Sequence, residues 1–200
     1  DYLQSLYDKD NDLRYTTYYY STKLISNNPD HPNFGNEVIG YEDNFRRYHW
    51  SLKKYHDDEK PIGSNGNWKD YLYYRFAETL MLGAEAHWRA DNESPTSAKA
   101  LEYINMIRER AYGNSDYNFT EFTLETYLEE SARELAFEKN RWYLLKRLGL
   151  LAERQNLHYR FGSNTKNNRP YPMQPHMVNW PIPQTQLDLM GPTFPQNQGY

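Results

Sequence analysis

The residues in this sequence best placed to do chemistry are carboxylates one helical turn apart. Glu130, Glu134 and Glu138 fall in the stretch "LEESARELAFEKNRWYLLKR" (128–147). Two such acids can hydrolyse a glycosidic bond if they flank it in a cleft and their environments push their pKa values apart. At 100° per residue, Glu130, Glu134, Glu138 and Arg141 form one stripe. Leu128, Leu135 and Trp142 border it on one side, Phe137 and Leu144 on the other, while Glu125, Glu129, Lys139 and Lys146 lie opposite. The acids are therefore enclosed by apolar neighbours, which is not the setting of a catalytic pair. A second mixed stripe, Arg75, Glu78, Glu85 and Arg89, precedes it, and Arg108 and Arg110 are further available cations. Buried carboxylates must be paired, hydrogen-bonded or protonated. The expectation is that Arg75, Glu78, Glu85, Arg108, Glu134, Glu138 and Arg141 form structural ion pairs, that no residue is catalytic, and that the chain is not an enzyme.

Other chemistry finds little support. "DKDNDL" places Asp8, Asp10 and Asp12 as a calcium loop would, but the sixth and twelfth positions are Leu13 and Tyr19 where Gly and Glu are needed, so a solvated acidic turn is expected. The six His include no i, i+4 pair, and no phosphate-binding or dinucleotide fingerprint occurs. There is no Cys, which removes disulfides, thiol catalysis and thiolate metal sites. No metal and no cofactor are expected. A net charge of −4 offers no basic surface for nucleic acid. Mean hydropathy is −1.04, yet aromatics reach 16%, more than a disordered chain carries. No run of about 18 apolar residues is present to span a membrane. The chain opens at Asp1 without a Met or a signal pattern, and is expected to be a mature product or a fragment lacking an N-terminal part.

These residues need helices to position them. "DYLYYRFAETLMLGAEAHWRA" predicts a helix capped by Asp70, and "ESPTSAKALEYINMIRERAYG" a second with Pro95 in its first turn and Gly113 as its stop. Their short link and small residues (Gly83, Ala86, Ala98, Ala100) suit an antiparallel, tetratricopeptide-like hairpin. A third helical stretch runs from Leu124 to Leu150, broken near Asn140. Residues 1–69 read as irregular, with a strand in "RYTTYYYST" (14–22). Residues 70–150 form the helical core. Residues 151–200, rich in Pro, Asn and Gln, read as packed loops rather than secondary structure.

The segments "YRFAETLMLGAEA", "ALEYINMIRERA", "LEESARELAFEKNRWYLLKRLG" and "WPIPQTQLDL" with the ending "QNQGY" occur in that order, after "DKDNDLRY". Together they resemble the C-terminal half of the SusD/RagB family, nutrient-binding outer-membrane lipoproteins of Bacteroidetes. The sequence departs from the family pattern at Lys139, where Gly is usual, at Leu144, where Asp is usual, and at Leu148, where Trp is common. The resemblance implies a mainly α fold with helical hairpins, long loops and little β structure. It implies glycan capture at the cell surface beside a TonB-dependent SusC-like transporter. It places the tetratricopeptide-like half and the lipid that attaches the protein to the outer membrane in a missing N-terminal part.

Sugars bind through aromatic faces helped by polar side chains. Among 20 Tyr and 5 Trp, those on predicted helices (Tyr71, Tyr74, Trp88, Trp142) are assigned to the core, and Trp180 is read as a structural plug. The glycan-binding candidates lie in the irregular first third: Tyr41, Tyr48, Trp50, Tyr55 and Trp68, with Arg46, Arg47 and Asn67. Two other functions remain open: a glycoside hydrolase using paired carboxylates, and a peptide-binding tetratricopeptide-like adaptor.

Overall fold

The computed structural model describes residues 2–19, 25–37, 51–57, 59–61, 63–64, 68–138, 140–158 and 172–200. Among these, eight α-helices, one 3₁₀ turn and two isolated antiparallel bridges occur, with no strand ladder. The chain divides into two compact units, Asp1–Glu138 and Lys139–Tyr200.

The first unit is built on a hairpin of α3 (Phe76–Ala90) and α4 (Ala98–Tyr112). Ala77, Met81, Ala84 and Trp88 are buried on one helix, and Ala100, Ile104, Ile107 and Ala111 on the other. Both sets follow the i, i+4, i+7, i+11 spacing of one helical face. Gly83 allows the close approach: a Cβ there would lie 2.9 Å from the Tyr103 ring. The link turns through Asn92 and Glu93 in left-handed conformation. α4 stops at Gly113, whose φ of 75° closes a bond from its N–H to Glu109 O. Pro95 lies ahead of α4, which begins only after Ser97.

Asp70 does not cap α3. The helix begins six residues later, because Arg75, the residue at its N-cap, is held extended by carboxylates from elsewhere in the unit. Nor is 14–19 a strand. Asp12 caps a short helix, α2 (Leu13–Tyr18), by accepting the Arg14 N–H at 3.0 Å, and extended pairing is limited to a Tyr19–Leu52 bridge. A capping side chain outweighs the β preference of Tyr and Thr here. α1 (Tyr2–Ser5) precedes it. Tyr7, Tyr19 and Ala136 form a small core that Leu3, Tyr15, Tyr18 and Leu52 flank.

α5 (Leu124–Glu134) starts at Thr123, which exchanges capping bonds with Thr126. It ends earlier than its apolar pattern suggests. Residues 135–138 form a turn, with Phe137 exposed at φ 64°.

In the second unit, α6 (Asn140–Arg147) ends at Gly149 and is followed by α7 (Leu151–His158), a 3₁₀ turn (Pro175–Val178) and α8 (Gln184–Met190). The last three are regular elements where loops were expected. Prolines punctuate this segment without preventing short helices: Pro175 opens the 3₁₀ turn and Pro183 stands at the N-cap of α8. Asn156 anchors the chain by pairing with both backbone groups of Met173.

Candidate functional site

α5 presents Glu130 and Glu134 inward, both fully buried. Burial alone costs several kcal/mol per ion, so each needs cations with good geometry. Glu130 accepts bonds from Arg14 (2.6 Å), Arg108 (2.8 Å) and Arg133 (2.8 Å). Glu134 accepts from Arg14 (3.1 Å), Arg75 (3.0 Å) and Arg110. Arg14 is the shared cation, and it also lies on Asp12 at 2.8 Å. The remaining donors are used as well: Arg108 Nε bonds Tyr117 O at 2.6 Å, and Arg133 Nη1 bonds Leu6 O at 3.0 Å. Tyr7 Oη donates to Arg133 O at 2.7 Å.

The turn that follows α5 continues this lattice. Glu138 takes Arg75 on both oxygens and pairs with Lys54. Lys54 Nζ donates to the carbonyls of Glu134 (2.8 Å) and Ala136 (3.4 Å), and Arg75 Nη2 reaches Glu134 O at 3.1 Å. Two cations thus supply donors to carbonyls that a continuing helix would have satisfied itself. That is the physical reason the helix ends here. The predicted four-residue stripe is consequently not one helical stripe. Glu138 sits in the turn, and Arg141 lies half-buried on α6 in the second unit.

The charges follow from this geometry. Burial would raise the Glu130 carboxyl, but Arg14, Arg133 and Arg108 overcome it and hold the group at about 2. Glu134 is likewise lowered against burial by Arg110, Arg14 and Arg75. Burial pulls the Lys54 amine down, with Glu138 opposing. General acid–base work needs an acid able to exchange its proton with a substrate. Glu130 and Glu134 are fully buried and surrounded by guanidinium donors, so they are suited to holding the fold.

Of the other ion-pair candidates, buried Glu85 pairs with Arg89 at 2.9 Å, four residues along α3, and Glu78 is half-buried in the first turn of that helix. The sequence reading missed Arg14, Asp12, Lys54 and Arg133. Arg14 was assigned to a strand and Asp12 to a solvated turn, yet Asp12 is buried. Sequence separations of 116 and 120 residues join Arg14 to its glutamates, and no local pattern signals such a pair. The one available cue was Asp12 as an N-cap directly ahead of Leu13.

The aromatic candidates divide differently. Tyr41, Tyr48, Trp50, Arg46, Arg47 and Asn67 lie outside the described residues. Trp68 is 83% exposed, and its backbone N–H is fixed by Asp57 Oδ2 at 3.0 Å. Lys69 Nζ reaches His56 O at 3.2 Å, joining the same two segments. Tyr55 is half-buried and stacks on Tyr71 with ring centres 5.7 Å apart, and Tyr73 meets Tyr71 edge-on. Tyr71 and Tyr74, assigned to the core from the helical pattern, are exposed, Tyr74 at 83%. They precede the true start of α3, so the helical wheel did not apply to them. Trp88 is core, packed on Phe122, and Trp142 is half-buried. Trp180 is not a plug: it is 75% exposed. Among the described residues no three His, Asp or Glu are grouped to hold a metal, and no helix is long and apolar enough to cross a membrane.

Comparison with known proteins gives consistent relationships. The SusD family model matches residues 8–200. SusD-like protein P2 of Formosa agariphila is 33% identical over 160 residues, which cover 74% of this chain and 30% of that protein. SusD-like protein P25 of the same organism is 31% identical over 128 residues, 59% of this chain and 22% of the relative. A crystal structure of a SusD superfamily protein from Bacteroides fragilis NCTC 9343 matches with a TM-score of 0.61 at 23% identity, covering 99% of this chain and 39% of that one. At that identity the likeness speaks for the fold. The chain spans less than a third of the length of the two curated relatives.

Proposed function

The chain belongs to the SusD family, and from that premise we propose that it serves non-catalytic capture of glycans at the outer-membrane surface, for delivery to a SusC-like TonB-dependent transporter. The family match over residues 8–200 is the observation that carries this reading. The site geometry supports its non-catalytic part, because the most enclosed carboxylates are engaged by arginines. It supports the binding part through Trp68, an exposed indole on a backbone tied to Asp57. An exposed aromatic face with amide and hydroxyl groups nearby is what a sugar ring requires. Attachment to the membrane is assigned to a lipid on a preceding segment of the whole protein.

A panel of oligosaccharides, screened with the full-length protein for both binding and release of reducing ends, tests the proposal. Binding without accumulation of reducing ends is the expected result. Reducing ends that appear with the wild type and vanish with Glu138→Gln would establish a hydrolase instead.

A further inference from the structure

The second unit carries a construction that the ion-pair network does not explain. The last residues of the chain fold back on the turn around Trp180 and fix its backbone. The Gln196 side-chain amide pairs with both backbone groups of Ile182, accepting its N–H at 2.7 Å and donating to its carbonyl at 2.9 Å. Asn197 Nδ2 donates to the carbonyl of Trp180 itself at 2.7 Å. Tyr200 Oη donates to Asn179 O at 3.0 Å, and its ring packs edge-on against His176 at 5.1 Å. Gly199 is required for that last contact: its φ is 98°, and a Cβ would lie 2.5 Å from His176 Cγ. Pro181 and Pro183 restrict the residues before them, Trp180 and Ile182.

The carbonyls of three of the four residues 179–182 are thus bonded by side chains from 196–200, while the indole between them stays 75% exposed. A buried indole would stabilise the fold by its area; this one does not. Fixing the backbone that carries an exposed ring lowers the ordering cost the protein itself bears when a molecule stacks on that ring. We propose that Trp180 is a stacking platform for an uncharged sugar ring, a conclusion that rests on the glycan-capture reading.

The chemistry of the surroundings selects the ligand class. Between Pro172 and Tyr200, Asp188 is the only Asp, Glu, Lys or Arg, and its carboxylate accepts Gln184 Nε2 at 2.8 Å. The exposed polar side chains of this segment include Asn179, Gln184, Gln186 and Gln198, and amides both donate to and accept from hydroxyls. The segment 172–200 itself supplies no Lys or Arg to recognise a sulfate or uronate. An exposed indole in a segment whose polar side chains are mostly neutral amides fits the C–H face of a neutral pyranose.

The test uses the full-length protein labelled with 5-fluorotryptophan, the Trp180 resonance being assigned by its loss in Trp180→Phe. Neutral and anionic oligosaccharides are titrated against wild type and Trp180→Ala, with melting temperatures recorded. The expected result is that a neutral glycan shifts the Trp180 resonance, that Trp180→Ala weakens its binding roughly tenfold, and that the melting temperature is unchanged. Retained affinity with an unmoved resonance overturns the Trp180 assignment while leaving glycan capture standing. A Trp180 resonance shielded from solvent before any sugar is added means that protein covers the ring, and overturns it too. Binding of anionic glycans alone refutes the neutral-ligand argument, and binding of none refutes both this inference and the capture reading.

Discussion

Replacing Arg14 by Met removes one guanidinium from contact with three carboxylates. Its side chain is nearly inaccessible, and those of Asp12, Glu130 and Glu134 are fully so. The glutamates keep other cations, Arg108 and Arg133 for Glu130, Arg75 and Arg110 for Glu134. Asp12 loses both of its bonds to the Arg14 guanidinium, at 2.9 and 2.8 Å. Leaving a buried charge uncompensated costs on the order of 3–5 kcal/mol, and Met replaces only the lost packing. For a chain of this size each kcal/mol moves the melting temperature by about 2–4 °C, so the expected fall is roughly 6–20 °C. Urea unfolding at pH 7, followed by far-UV circular dichroism, measures the free energy directly. Asp12→Asn added to Arg14→Met should recover part of the loss, because it removes the orphaned charge while keeping a helix-capping oxygen. A single-mutant cost below about 1 kcal/mol, or a double mutant less stable than the single, would refute the claim that Arg14 is the shared cation of a buried network.

The network also sets an acid limit. Glu130 has a depressed folded-state value, so its contribution is complete above its ordinary pKa of 4.5 and is lost as pH falls toward about 2; urea midpoints should fall across that window, and less steeply in Arg14→Met. Glu138→Gln keeps the shape but weakens the bonds to Arg75 and Lys54, and should lower stability by about 1.5–3 kcal/mol while leaving glycan affinity, read by isothermal titration calorimetry, unchanged. Trp68→Ala removes an exposed ring and should leave stability within about 0.5 kcal/mol of wild type while weakening glycan binding; unchanged affinity would remove Trp68 from the site.

Helical periodicity was enough to locate the α3–α4 hairpin, the stop at Gly113 and the enclosure of Glu130 and Glu134, because all of these arise from contacts within a few residues or from one amphipathic face. The ordered motifs likewise carried the family resemblance. Which cations meet those glutamates was settled only by folding. Arg14 lies more than a hundred residues from its partners, and chain separation that large leaves no periodic trace. The same long-range contacts moved the element boundaries. Carboxylates from the α5 region hold Arg75 extended and delay α3, exposing Tyr71 and Tyr74, which the wheel had placed in the core. Lys54 and Arg75 bond the carbonyls at the end of α5 and take Glu138 off the helix. Trp180 makes the same point at the other end of the chain. Its prolines announced a turn, but whether the indole points into the fold or out of it depends on where residues 196–200 return to bond that turn, and that is a tertiary fact.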